Sequence, residues 1–251
     1  MSWELVLSED DYRLFKSNIS LLEERVLQNF PESCQNPAIL SAIRSVPRHL
    51  FVNPGYKFLA YTDNALPTSG GLTTSAPSVI AGMILQAGVV RGDRVLEIGT
   101  GTGYQAAVLA EMGVKVFTVE IDGPVAETAS RVLARLGYKI DKHTKEGQRR
   151  YQELKRHFPQ REPIEQFWGN GQQGLAKRAP FDAIIVAASV PQLQEVRHLA
   201  SQLSKAGGRL VVPVGDRLDQ ELQILERRGG RVRCSALAGV SFQFLRLIPE
   251  S

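Results

Sequence analysis

Apolar residues recur along this chain with two different periods. Between Asp10 and Phe30, Leu14, Ile19, Leu21, Leu22, Val26 and Leu27 fall at mostly helical spacing, which predicts an amphipathic helix. Pro37 to Ser45 predicts a second, shorter helix stopped by Pro47. Val46 to Pro77 is rich in proline and glycine and reads as loop. Pro77 to Ala87 is small and apolar, a helix with Pro77 in its first turn, where a missing N–H costs nothing. From about Arg94 the pattern changes. Short apolar runs at 94–98, 115–119, 182–187 and 208–213 predict strands, and they alternate with helical patterns at 103–112, 123–136 and 192–204. That alternation predicts an α/β fold with a doubly wound, mostly parallel sheet. It is preceded by an N-terminal helical extension. Segments 220–225 and 231–236 predict a terminal antiparallel pair, and 239–247 a final strand. The rhythm breaks once: 139–166 is long, polar and helix-competent, and is read as a surface insertion before Phe167-Trp168-Gly169-Asn170-Gly171 resumes the core pattern.

The segment that carries chemistry is Val95-Leu96-Glu97-Ile98-Gly99-Thr100-Gly101-Thr102-Gly103-Tyr104-Gln105. A strand runs into a loop with glycine at alternate positions, and a helix with small residues follows. Such a loop lets backbone N–H groups approach a ligand, because no Cβ stands in the way. A dinucleotide fingerprint places its third glycine one position later, where this chain has Tyr104. The G-x-G-x-G spacing behind Glu97 resembles that of S-adenosylmethionine-dependent methyltransferases. Glu120 ends the apolar run 114–119, about twenty residues beyond Gly101, as expected of a carboxylate that holds ribose hydroxyls. The cofactor-binding set expected from these patterns includes Glu97, Gly99, Thr100, Gly101, Gly103, Glu120 and Ile121.

Bulk properties narrow the classes. The chain has 251 residues, 43% hydrophobic and 22% charged, values usual for a soluble globular protein. It contains no apolar run of about 18 residues, so no membrane helix is expected. The start, Met1-Ser2-Trp3-Glu4-Leu5, does not read as a secretory signal, and a cytoplasmic setting is expected. The net charge of +4 is too mild to imply nucleic acid. Part of the basic character sits between Lys139 and Arg161, where Asp141, Glu146 and Glu153 interrupt it, as on a solvated helical face. Cys34 and Cys234 form no metal-spaced pair and are read as buried or incidental thiols; no metal site is expected.

Several further motifs, in order, resemble the protein-L-isoaspartate (D-aspartate) O-methyltransferase family, from about Ile43 to Gly215. Val46-Pro47-Arg48-His49-Leu50-Phe51-Val52, Ala60-Tyr61-Thr62-Asp63-Asn64-Ala65-Leu66-Pro67, Thr73-Thr74-Ser75-Ala76-Pro77, the glycine loop, and Gly207-Gly208-Arg209-Leu210-Val211-Val212-Pro213-Val214-Gly215 carry the resemblance. It implies a Rossmann-like methyltransferase fold: residues 1–78 an N-terminal helical and active-site loop region, residues 79–251 the methyltransferase domain, the whole a single compact unit. It implies S-adenosylmethionine as cofactor and transfer of its methyl group to the α-carboxyl of isoaspartyl or D-aspartyl residues, a repair step that proceeds through a succinimide. Partners would be peptides or proteins bearing isoaspartate, met by a monomer without nucleic acid or membrane. The resemblance makes Ser75 the leading catalytic residue, assisted by Thr73 or Thr74. By the residues alone Ser75 could equally be a helix N-cap. Asn170 and Gly171 stand where the family holds the adenine amino group, with Asn170 in place of a usual Asp. Asp63 and Asn64 are expected to order the active-site loops, and Arg48 to pair with a carboxylate of substrate or protein. Leu72 and Thr74 also depart from the family pattern, so a dedicated aspartyl methyltransferase of one partner, or a non-catalytic cofactor-binding adaptor, stay open as alternatives.

Overall fold

Both faces of the central strands are apolar, and that decides the architecture. A computed structural model describes Trp3 and residues 6–68, 71–138, 145–159, 161, 163–216 and 219–240. Three helices come first: α1 (Glu9–Asn29), α2 (Pro37–Ser45) and α3 (Pro77–Ala87). Between the last two lie short 3-10 turns and a two-residue antiparallel pair, β1 (Leu66–Pro67) with β2 (Thr73–Thr74). The alternating part then runs β3 (Arg94–Ile98), α4 (Tyr104–Glu111), β4 (Lys115–Glu120), α5 (Gly123–Arg135), α6 (Lys145–His157), β5 (Glu165–Trp168), β6 (Ala183–Val186), α7 (Gln194–Arg197), β7 (Ala206–Gly215), β8 (Gln220–Arg228) and β9 (Arg231–Val240).

The seven-stranded sheet has the order β5-β4-β3-β6-β7-β8-β9. Its first five strands are parallel, and β8 and β9 continue antiparallel. Within β3, Val95 packs with the helices α1 to α4, while Leu96 and Ile98 pack on the other face with Val196 and Leu199. Strand side chains alternate between faces, so a strand covered on both sides must be apolar throughout. Glu97 and Thr118 are fully buried polar exceptions, and Glu120 at the end of β4 is nearly so. Helices α1 to α3 share the apolar cluster of one sheet face.

Three sequence expectations need correction. The segment 192–204 forms only the four-residue α7 and then a 3-10 turn, His198–Gln202. Its buried residues Val196, Leu199, Ala200 and Leu203 still join one apolar cluster with Leu96 and Ile98. The polar insertion ends earlier than its composition suggested, because β5 begins at Glu165 and pairs with β4. As the edge strand of the sheet β5 is only half buried, so it lacks the continuous apolar run of its neighbours. Both cysteines are exposed free thiols, not buried ones. The proposed strand 239–247 lies mostly outside the described residues, although β9 reaches Val240.

Candidate active site

The strand order reverses between β3 and β6: from β3 the chain moves outward through β4 to β5, then returns to the other side. Open α/β sheets bind ligands outside the carboxyl ends of their strands at such a switch point. The loops that gather there are 99–103 after β3, 121–122 after β4 and 169–171 after β5.

The three loop glycines do different work. Gly99, Gly101 and Gly103 all have positive φ, at 95°, 53° and 85°, a region other residues rarely adopt. A Cβ on Gly103 would meet Leu133 of α5 at 3.1 Å. Gly103 is therefore the packing glycine that lets α4 start close to α5. A Cβ on Gly101 would meet nothing within 4 Å; its face is open, and a side chain there would occupy the approach to the loop.

Beside this loop, Glu120 is nearly buried and accepts from three backbone donors. Gly101 N–H reaches Oε2 at 2.8 Å, and Ile121 and Asp122 N–H reach Oε1 at 3.0 and 3.1 Å. The carboxylate thus ties the glycine loop to the end of β4, and its two oxygens retain acceptor capacity for a hydroxyl donor. Ile121 lies in the following turn, its carbonyl accepting from the Trp168 indole at 3.2 Å.

Glu97 sits beneath the loop, with no solvent exposure. Thr118 donates to its Oε2 at 2.6 Å, and the Thr100 and Thr118 hydroxyls are 2.6 Å apart. A hydroxyl has one proton to give, so Thr118, donating to Glu97, accepts from Thr100. Thr100 contributes its side chain to this buried ladder and turns it away from the open side of the loop. Burial pushes the Glu97 carboxyl up to about 8, with Glu120 adding to the shift, against the opposing pull of Thr118 and Gln105. Its Oε1 and the Gln105 amide nitrogen are buried without a hydrogen-bond partner; Gln105 acts on the carboxyl without reaching bonding distance.

Asn170 caps the 3-10 turn at 171–173, its Oδ1 accepting from Gln172 N–H at 3.0 Å. A carbonyl oxygen has a second lone pair for another donor. Gly171 is buried tightly against Ile98, where a Cβ would meet the isoleucine at 2.6 Å.

The Thr73-Thr74-Ser75 segment holds the remaining candidate residues. In β2 the Thr74 side chain is buried and Thr73 is exposed. Alternation in an extended segment puts Ser75 on the side of Thr73. Ser75 does not cap α3. The N-cap position is Ala76, with no side-chain bond, and the Ser78 N–H is taken by Asp63 Oδ1 at 2.8 Å. Asp63 Oδ2 also accepts from Asn29 at 2.7 Å, so Asp63 braces the loop between α1 and α3. Among the described residues Arg48 makes no ion pair with a protein carboxylate, the partner its motif suggested. Fully buried, it donates to four carbonyls: Ala60 and Thr62 at 2.9 and 3.1 Å, Asn64 and Ser75 at 2.9 and 3.1 Å. Nothing in the sequence separates a carbonyl clamp from an ion pair, since both ask only for an arginine. Its neighbour His49 is buried against the Tyr61 hydroxyl at 2.6 Å, and burial lowers its pKa to about 4.

Similarity to known proteins agrees with this geometry. The family model for protein-L-isoaspartate (D-aspartate) O-methyltransferase matches residues 21–246. The chain belongs to this family. A protein-L-isoaspartate O-methyltransferase of Methanoculleus marisnigri is 42% identical over 204 residues, 81% of each chain. One from Gloeobacter violaceus is 40% identical over 203 residues, 80% of this chain and 86% of its own. Among solved structures, a protein-L-isoaspartate O-methyltransferase superposes with a TM-score of 0.69 at 25% identity, covering 89% of this chain and 66% of that one. A Plasmodium falciparum beta-aspartate methyltransferase, solved in complex with S-adenosyl-L-homocysteine, superposes at 0.67. At 21% identity, over 91% of this chain and 98% of its own, it speaks to the fold alone.

Proposed function

We propose that this protein is an S-adenosylmethionine-dependent carboxyl O-methyltransferase acting on L-isoaspartyl and D-aspartyl residues of damaged polypeptides. Membership of the family supports the activity. The observation that carries the cofactor assignment is the open face of Gly101 beside the Glu120 carboxylate, at the switch point of the sheet. A cradle with no Cβ, ending at an acidic acceptor for ribose hydroxyls, fits a nucleoside cofactor. The loop 99–103, Glu120, Ile121, Asn170 and Gly171 would hold S-adenosylmethionine, with Glu97 and Thr100 supporting the loop from below. When bound, this cofactor supplies an electrophilic methyl group on a sulfonium.

The protein's own residues have a light task. A carboxylate acceptor is already ionised near neutral pH, so no general base is needed. Ser75, relieved of helix capping by Asp63, can donate its hydroxyl to that carboxylate, with Thr73 on the same side and Thr74 supporting from the buried side. Rate then comes from orientation and exclusion of water, for which a well-aligned pair of reactants can gain about 7 kcal/mol or more. The reading includes action as a monomer, in the cytoplasm, with residues 1–78 and 79–251 working as one unit. No helix among the described residues is long and apolar enough to cross a membrane.

The test is labelled methyl transfer to two peptides that differ only in isoaspartate against aspartate at one position. Selective labelling of the isoaspartyl peptide is expected. Equal labelling of both, or labelling of neither while S-adenosylmethionine still binds, would refute the proposed substrate. Ser75→Ala should lower kcat by about 100-fold, the scale of losing one preorganised donor, and leave cofactor affinity unchanged in calorimetry.

A further inference from the structure

The Arg48 guanidinium stands at the junction of the two sets of candidate residues. It donates to three carbonyls of the 60–64 loop and to the carbonyl of Ser75. It also lies over the Tyr104 ring, 5.5 Å from the centroid. Tyr104 is the first residue of α4 and directly follows Gly103. One buried cation therefore touches the Ser75 loop, the loop that holds Asp63, and the start of the helix that follows the glycine loop. The guanidinium is planar and presents its N–H groups in a fixed fork, so acceptors that share it are held in a fixed mutual arrangement. A trans peptide points its N–H opposite its C=O. With the Ser75 carbonyl drawn inward to Arg48, the Ala76 N–H is turned the other way, a second donor beside the Ser75 hydroxyl.

We propose that Arg48 is a positioning residue for methyl transfer, fixing the Ser75–Ala76 peptide relative to the glycine loop through the Ala60–Asn64 carbonyls and Tyr104. This rests on the role of Ser75 in the proposed function. Arg48 touches neither reactant. It holds the acceptor-binding loop in register with the donor-binding loop, and small misplacements are costly: about 1 Å can cost roughly 100-fold in rate. Lysine keeps the charge but not the planar fork. Its ammonium has three N–H groups on one nitrogen, so it leaves at least one of the four carbonyls unpaired in a buried site.

The experiment uses the full chain with isoaspartyl peptide, in four forms: wild type, Arg48→Lys, Ser75→Ala and the double variant. Arg48→Lys is expected to lower kcat by roughly 10- to 100-fold. Peptide KM and the calorimetric Kd for S-adenosylmethionine should change far less. Arg48→Met, which removes every donor, should be slower still wherever it folds. Because Arg48 acts in part through the Ser75 hydroxyl, the double variant should lose clearly less than the product of the two single effects. Arg48→Lys with wild-type kcat overturns the proposal. So does a double variant that loses the product of the two single effects, or an Arg48→Lys protein that has lost near-ultraviolet circular dichroism and cofactor binding, which would make the residue merely structural. Ser75→Ala at the wild-type rate is distinguishable from all of these: it removes Ser75 from the proposed function, and the coupling assigned to Arg48 goes with it.

Discussion

Gly101 and Gly103 offer a paired test, because they share a strained backbone and differ in what surrounds it. Both have positive φ, 53° and 85°, so alanine at either costs the left-handed penalty of about 1–2 kcal/mol. At Gly101 that is the whole structural cost, since the added methyl enters open space. At Gly103 the methyl meets Leu133 Cδ1 and Cγ at 3.1 Å and Cδ2 at 3.3 Å. Leu133 is itself fully buried and cannot swing into solvent. Overpacking of this kind adds about 1–3 kcal/mol, for a total near 2–5 kcal/mol at Gly103. Urea unfolding of the ligand-free protein measures both. Calorimetric titration with S-adenosylmethionine should then invert the order: Gly101→Ala loses affinity through the blocked approach, and Gly103→Ala largely keeps it in the folded fraction. Equal destabilisation of the two variants would refute the division of labour between the glycines. Unchanged cofactor affinity in Gly101→Ala would refute the placement of the ligand over its open face.

Glu97 should make stability fall as pH rises. Its folded pKa of about 8 lies above the ordinary value of 4.5, so between these limits the native state holds a proton the unfolded chain has lost, and stability declines through that window. His49 works in the opposite sense: its folded pKa of about 4 lies below 6.5, so its contribution is lost as pH falls from 6.5 towards 4. Between pH 6.5 and 8 the Glu97 effect stands clear of His49, and Glu97→Gln should flatten the decline seen in wild-type urea midpoints; identical slopes in the two proteins would sink the assignment. Asp63→Ala should cost about 0.5–2 kcal/mol for the lost cap on Ser78 N–H, read from urea midpoints, and should slow methyl transfer by loosening the brace behind Ser75. A stability at wild-type level would show that the cap is dispensable.

How much of the molecule is legible in its sequence depends on the range of the interactions involved. The helices 9–29, 37–45 and 77–87 follow local periodicity and capping, and lie within a residue or two of expectation. The strands β3, β4 and β6 are covered on both faces, so their apolar runs stand out from the sequence. Edge strand β5 has one side without a partner strand and only partial burial, and its Glu-Gln-Phe-Trp hides within a polar stretch. Ser75 left two roles level, because a serine ahead of a proline-led helix suits capping and ligand binding alike. Asp63, fifteen positions before Ser78, takes the N–H that a Ser75 cap would have used and so removes the capping role. Arg48 was visible as an arginine in a family motif, but its four carbonyl partners are scattered over residues 60–75.

The sequence by itself determined the parallel α/β alternation, the glycine loop and the acid that follows it, because each depends on residue type at short, fixed spacing. Only the tertiary structure decided which glycine keeps an open face and which meets Leu133, that Glu97 and Thr100 lie in a buried ladder beneath the loop, and that Arg48 donates to four backbone carbonyls. Those outcomes turn on which distant segment fills the space beside a residue. Burial, desolvation and hydrogen-bond satisfaction are properties of the assembled neighbourhood, and local spacing carries no record of them.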